Sequence, residues 1–156
     1  MTSIDRRFLD LAGLSEPDPP QPSGLYSSAI AHDGLVWVSG HSGKADGKVV
    51  FTGRLGADCT HEDGVEAARL ACITALSSAS ALLNGLSRIA RPLKLTGYVK
   101  SAQDFHDQAQ IVDGASRFLL DLFGRDQGSH ARSAVGIAEL PGGTSVAVAL
   151  VLAATR

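Results

Sequence analysis

Apolar residues along this chain recur with two periods, and their order predicts helix, two strands, long helix, strand, helix, two strands. Ile4, Phe8, Leu9, Leu11 and Leu14 fall three and four residues apart, which predicts a short amphipathic helix over residues 4–13. Pro17, Pro19, Pro20 and Pro22 follow, so the next stretch is an extended arm that can enter neither a helix nor a central strand. Two apolar runs, Tyr26–Ala31 and Leu35–Ser39, flank His32-Asp33-Gly34, and Asp-Gly between apolar runs is strong hairpin chemistry. From Thr60 to Asn84 the stripe Val65, Ala68, Cys72, Ala75, Ala79, Leu82 predicts a long helix, capped by Thr60 with Asp63 at one end and stopped by Asn84-Gly85 at the other. Leu93, Leu95, Gly97 and Val99 alternate with polar neighbours, a strand period. Asp104 to Phe123 reads as a second helix with Asp104 and Asp107 as its caps; Gly114 inside it costs about 1 kcal/mol relative to alanine. Ser133–Glu139 and Val146–Ala153 read as strands joined by Pro141-Gly142-Gly143.

The last strand is apolar at every position, Val146 through Ala153. A strand apolar on both faces is covered on both. One helical layer covers one face only, so the pattern calls for a second sheet or another copy of the chain on the other. With 44% hydrophobic residues and 156 residues, the chain can bury a core of its own as a single domain. Only 5% are aromatic, so that core is aliphatic and alanine-rich. The formal net charge is −2, and Arg6-Arg7 is the only adjacent basic pair, flanked by Asp5 and Asp10. That weighs against nucleic acid as the main ligand, because phosphate binding rests on a basic patch. No secretory leader and no apolar run of bilayer-spanning length is read, and the two cysteines, Cys59 and Cys72, are expected as free thiols of a cytoplasmic protein with no membrane partner.

Four short motifs then fall in one order. They are Gly24-Leu25-Tyr26, Val36-Trp37-Val38-Ser39-Gly40, His130-Ala131-Arg132-Ser133-Ala134-Val135-Gly136 and Leu140-Pro141 before the final strand. Together they resemble the RidA/YjgF family over roughly residues 24–153. Residues 1–23 then form an N-terminal helix and proline-rich arm ahead of a RidA/YjgF-like domain, 24–156. The arm and Asp113-Gly114-Ala115-Ser116 resemble the branch labelled endoribonuclease L-PSP-like. The resemblance implies an α+β, chorismate-mutase-like fold, with a mixed sheet and two helices on one face. It also implies a homotrimer with ligand clefts between subunits, and no cofactor.

In the best-understood branch of that family, enamines and imines such as 2-aminoacrylate are hydrolysed to 2-keto acids and ammonia. Arg132 matches the family's arginine, and a planar guanidinium suits a carboxylate because it can make two parallel hydrogen bonds. Tyr26 matches the cleft tyrosine and Ser39 the serine at the strand end. Arg132 and Tyr26 are the expected catalytic residues; Arg132, Ser39, Tyr26, Ala134 and Asp113 are the expected ligand-binding set. His130 reads as a solvated loop histidine, and His41 as a neighbour of the same cleft. Several positions depart from the family pattern. Alanine stands at 147 and 149, where the deaminase branch carries glutamate, and Ala134 replaces a cysteine. Asp113 stands in place of a helix asparagine. A methyl group cannot accept a proton or orient water, so the general-base role is missing there.

The expected function is binding of small carboxylate, 2-keto or imino acid metabolites with weak or no deaminase activity. An active imine deaminase is the alternative, favoured by Arg132 and Tyr26 and opposed by Ala134 and Ala147. Endoribonuclease and chaperone-like readings rank below both. His32, His41, His61, His106 and His130 show no metal-ligand spacing, and no P-loop, G-x-G-x-x-G or G-x-S-x-G motif occurs.

Overall fold

The computed structural model describes residues 1–155. In chain order the elements are α1 (Ser3–Ala12), β1 (Ala29–His32), β2 (Leu35–Ser42), β3 (Lys44–Ala45), β4 (Lys48–Val49), α2 (His61–Leu83), β5 (Ile89–Lys100), α3 (Gln108–Phe123), β6 (Ala131–Ile137) and β7 (Val146–Ala154). Five strands form one sheet in the order β1-β2-β7-β5-β6, and β3-β4 form a small separate ribbon. All pairings in the main sheet are antiparallel except β5–β6, which α3 joins as a crossover. Helices α2 and α3 pack together on one face of that sheet. The architecture is the α+β one expected, with two further short strands in the glycine-rich stretch after Ser42.

Local chemistry sets the element ends. Asp33 and Gly34 both take positive φ, 48° and 76°, which is the backbone a tight hairpin between β1 and β2 requires. Thr60 and Asp63 form a reciprocal capping box at the start of α2, and Asn84 ends it in the left-handed conformation. In α2, Ala68, Cys72, Ala75 and Ala79 are fully buried as the stripe predicts. Leu82, the sixth member of that stripe, is instead 40% exposed. The helix has no single apolar stripe, because every residue from Ala71 to Ser80 is buried between α3 and the sheet. That is also why α2, contrary to the sequence expectation, has the length and apolarity of a membrane span: 67% of the relevant window lies inside the protein.

Gly114 explains itself in the packing of α2 against α3. A Cβ built there would lie 2.0 Å from the Val65 carbonyl oxygen, so only glycine lets the two helices approach this closely. The start of α3 departs from expectation. Asp104 sits at φ 62° in a turn, the helix begins at Gln108, and Asp107 makes no side-chain cap. Strand β5 begins earlier than the alternation shows, at Ile89. Irregularities between Ile89 and Arg91 and between Pro92 and Lys94 break the period, so Pro92 is buried and Leu93 is pushed outward.

The N-terminal helix docks on the helical layer. Phe8 meets Phe118 edge to face, with ring centroids 6.1 Å apart. The Arg69 guanidinium lies over the same Phe118 ring and donates 2.8 Å to the Leu11 carbonyl. The Asp5 carboxylate accepts from the Leu86 amide at 2.7 Å. Burial alone would raise the Asp5 pKa, but hydrogen bonds from Thr2 and Leu86 outweigh it and hold the carboxyl below its usual value.

Among the described residues, nothing covers the other face of the sheet in this way. Strand register lines up Ile30, Trp37 and Val151 across β1, β2 and β7, and Ala147, Tyr98 and Val135 across β7, β5 and β6. Ile30 is 55% exposed, Trp37 50% and Val135 41%. Lys94 reaches across the same face, donating 2.7 Å to the Ser133 hydroxyl.

Candidate functional site

Arg132 is the second residue of β6, the edge strand, and pairs in register with Leu95, a core residue. Its side chain therefore points to the helical side of the sheet, toward α3. Its Nη1 donates 2.6 Å to Asp113 Oδ1 and 3.1 Å to Ser116 Oγ, both on α3. Ser116 lies 3.0 Å from His130 Nε2, and His130 Nδ1 lies 2.7 Å from the Gly128 carbonyl. A carbonyl can only accept, so Nδ1 carries a proton, and in the neutral ring Nε2 accepts from the Ser116 hydroxyl. Arg132 is thus held by two partners on α3, one of which is itself bonded to His130. His130 is not the solvated loop histidine expected from sequence: it is half-buried and both ring nitrogens are bonded. Ser116 and His130 went unread as partners because they lie 14 residues apart with no motif between them; only the turn after α3 brings them together.

Both Arg132 bonds use Nη1. Within the described residues Nε and Nη2 donate to no acceptor, and Asp113 Oδ2 accepts no bond. The Arg132 side chain is 25% exposed and that of Asp113 52%, so the free edges of this pair face outward. Ala134 lies two residues along the same strand, in register with Gly97, and packs on the core.

Tyr26 and Ser39 lie elsewhere. Ser39 Oγ donates 2.7 Å to the Ser27 carbonyl, and its amide bonds the Ser28 carbonyl, so it pins the segment leading into β1. Tyr26 belongs to that segment, half-exposed, with its hydroxyl 3.5 Å from Ser23 Oγ. Hydrogen bonding by Ser23 and the nearby Lys44 pull the phenol below its ordinary pKa. Ser39 is on β2 and Arg132 on β6, three strand spacings apart, about 14 Å. Within one chain, then, the structure joins Arg132 to Asp113 and Ser39 to the Tyr26 segment, and keeps the two groups on opposite sides of the sheet. His41 does not face Ser39's side. It is buried, pairs with core Val148, and sits 3.3 Å from the Ser28 carbonyl; burial depresses its pKa. Ala147 and Ala149 fall on the uncovered face, and neither carries a group that could act as a base. Among the described residues no three His, Cys, Asp or Glu side chains gather to hold a metal ion.

Residues 7–153 match the family described as "YjgF/chorismate mutase-like, putative endoribonuclease". The chain belongs to this family. A relative, Protein TCP17 from Trypanosoma cruzi, is 37% identical over 140 residues, covering 90% of this chain and 88% of that protein. Among solved structures, a Shewanella oneidensis protein described as a putative endoribonuclease shares 30% identity at a TM-score of 0.90, covering 97% of this chain and 99% of that one. Atu1372 from Agrobacterium tumefaciens shares 32% identity at a TM-score of 0.88, over 98% of this chain and 94% of that one. Both structures are matched nearly end to end, so the N-terminal helix and arm fall within the likeness.

Proposed function

We propose that this YjgF-family protein is a cytoplasmic homotrimer that binds small carboxylate-bearing metabolites, 2-keto or imino acids, in clefts between subunits. Arg132 holds the carboxylate through its Nε and Nη2 edge, and the Tyr26 segment of a neighbouring copy closes the cleft. Deaminase activity is weak or absent, since Ala134 and Ala147 supply neither acid nor base. The observation that carries this reading is the separation of Arg132 from Tyr26 across a sheet whose uncovered face is apolar. Within one chain the two lie three strand spacings apart, and the exposed Ile30, Trp37 and Val135 give a second copy an apolar face to dock on, which supports a site shared between subunits.

The test is sedimentation of the purified chain together with calorimetric titration of 2-ketobutyrate into wild type and Arg132→Ala. A trimer whose binding vanishes in the variant supports the reading; a monomer, or binding indifferent to Arg132, overturns it. An active imine deaminase is the second reading, favoured by the free edge of Arg132. Keto-acid release from 2-aminoacrylate generated in situ, well above the enzyme-free control and lost in Arg132→Ala, would establish it. A nuclease role finds no basic patch to hold phosphates.

A further inference from the structure

Where α1 and the proline-rich arm meet the end of α2, they enclose a cavity of about 380 Å³, within the size range of small-molecule sites. Its body is apolar, built by Phe8 and Leu9 of α1, Pro17 and Pro19 of the arm and Ala81 of α2. None of these residues belongs to the Arg132 site or to the open face of the sheet.

The polar part of the lining gathers at the last turn of α2 and is rich in acceptors. The Ser80 carbonyl accepts from the Gly85 amide at 2.8 Å, and the Asp5 carboxylate lies against Gly85, where a Cβ would sit 3.2 Å from Oδ1. Asp5 and Ser80 both line the cavity. Among the described residues Asp5 enters no salt bridge, and its Oδ1 accepts a single bond, from the Leu86 amide. Its carboxyl is held below the usual value and is therefore ionised at neutral pH. The 23-residue α2 carries no basic residue in its last turn, so the negative end of its dipole adds to that charge.

Ser80 supplies a separate observation. Thr74 and Ser78, on the same helix, spend their hydroxyls on carbonyls four residues back. Ser80 is only 6% exposed, yet its hydroxyl bonds nothing among the described residues, and it is not sealed from solvent as the Ser77 hydroxyl is. It opens instead on the cavity that Ser80 lines. An apolar chamber ending in a carboxylate, a helix C-terminus and an unspent hydroxyl accepts from an ammonium head and repels a carboxylate head.

We propose that this cavity is a second ligand site, distinct from the carboxylate site at Arg132, and that it takes small apolar amines. Phe8, Leu9, Pro17 and Pro19 hold the apolar body, and Asp5 and Ser80 receive the ammonium.

The experiment titrates 2-phenylethylamine, 2-phenylethanol and 3-phenylpropionate separately into the full chain at neutral pH, by calorimetry and by saturation-transfer NMR for weak binding. Wild type, Asp5→Asn, Ala81→Phe and Arg132→Ala are compared. Wild type is expected to bind the amine at least about tenfold more tightly than the acid, the scale of one hydrogen bond to a charged group, with the alcohol between them. Asp5→Asn is expected to bring amine and acid within about threefold. Ala81 is exposed at the rim, so Ala81→Phe fills the cavity without disturbing the core and is expected to abolish amine binding while circular dichroism stays native. Because Asp5 also docks α1, the wild-type preference and Ala81→Phe decide the matter if Asp5→Asn loosens that helix. Equal or tighter binding of the acid, no saturable amine binding, or amine binding indifferent to Ala81→Phe overturns the proposal. Amine binding lost in Arg132→Ala overturns it too, by assigning the amine to the other site.

Discussion

The two faces of the sheet share one set of strands and one alternation, yet they differ in cover. On the helical face Val36, Leu95, Val99, Val148 and Leu152 are fully buried, sealed by α2 and α3. On the other face Ile30, Trp37 and Val135 keep 41–55% of their surface in water. Apolar patterning alone does not distinguish these faces. It states which residues want burial, and the helices decide which of them obtain it inside one chain.

Neighbouring residues of β7 give the largest expected contrast. Leu152→Ala removes a fully buried side chain and should cost about 3 kcal/mol in urea unfolding. Val151→Ala, facing the other way, should cost under about 1 kcal/mol at low protein concentration. Equal losses would mean the outer face is as tightly packed as the inner. Gly114→Ala tests the covered side at its closest point. Its Cβ would lie 2.0 Å from the Val65 carbonyl, so α2 and α3 must part, at about 2 kcal/mol or more by thermal unfolding. Trp37→Glu addresses the open face: circular dichroism should remain native while sedimentation shifts to a smaller species. A small effect belongs to the docked α1. Because hydrogen bonds hold the folded-state pKa of Asp5 below the unfolded value, its contribution is present above about pH 4 and fades as pH falls through the folded pKa. The stability gap between wild type and Asp5→Asn should therefore shrink below about pH 4 in acid titration.

Much of the fold was legible because local chemistry dictates it. The capping box of Thr60 and Asp63, the left-handed Asn84 and the Asp33-Gly34 turn are decided within four residues of sequence. The irregularities of β5 were not legible, since they arise from fitting a long strand between β6 and β7 rather than from its own period. Of the candidate site, Arg132 stood out by motif. Its commitment to Asp113, 19 residues away, depends on how the α3 crossover returns β6 to the sheet. Ser116 and His130 bear no pattern that marks them as its support.

The place of β7 in the sheet has a bearing on how the chain reaches its native state. It is the last of the seven strands to appear in sequence, yet it lies between β2 and β5 and pairs with both. During synthesis the β1–β2 hairpin and the β5–β6 unit can each form early, but they have no edge in common until residues 146–154 emerge. Their closure joins segments more than a hundred residues apart, Leu35 with Ala153 for example, which makes it the slow, high-contact-order step. Until β7 arrives, the strands that will flank it have unpaired edges, the kind of edge at which incomplete chains aggregate.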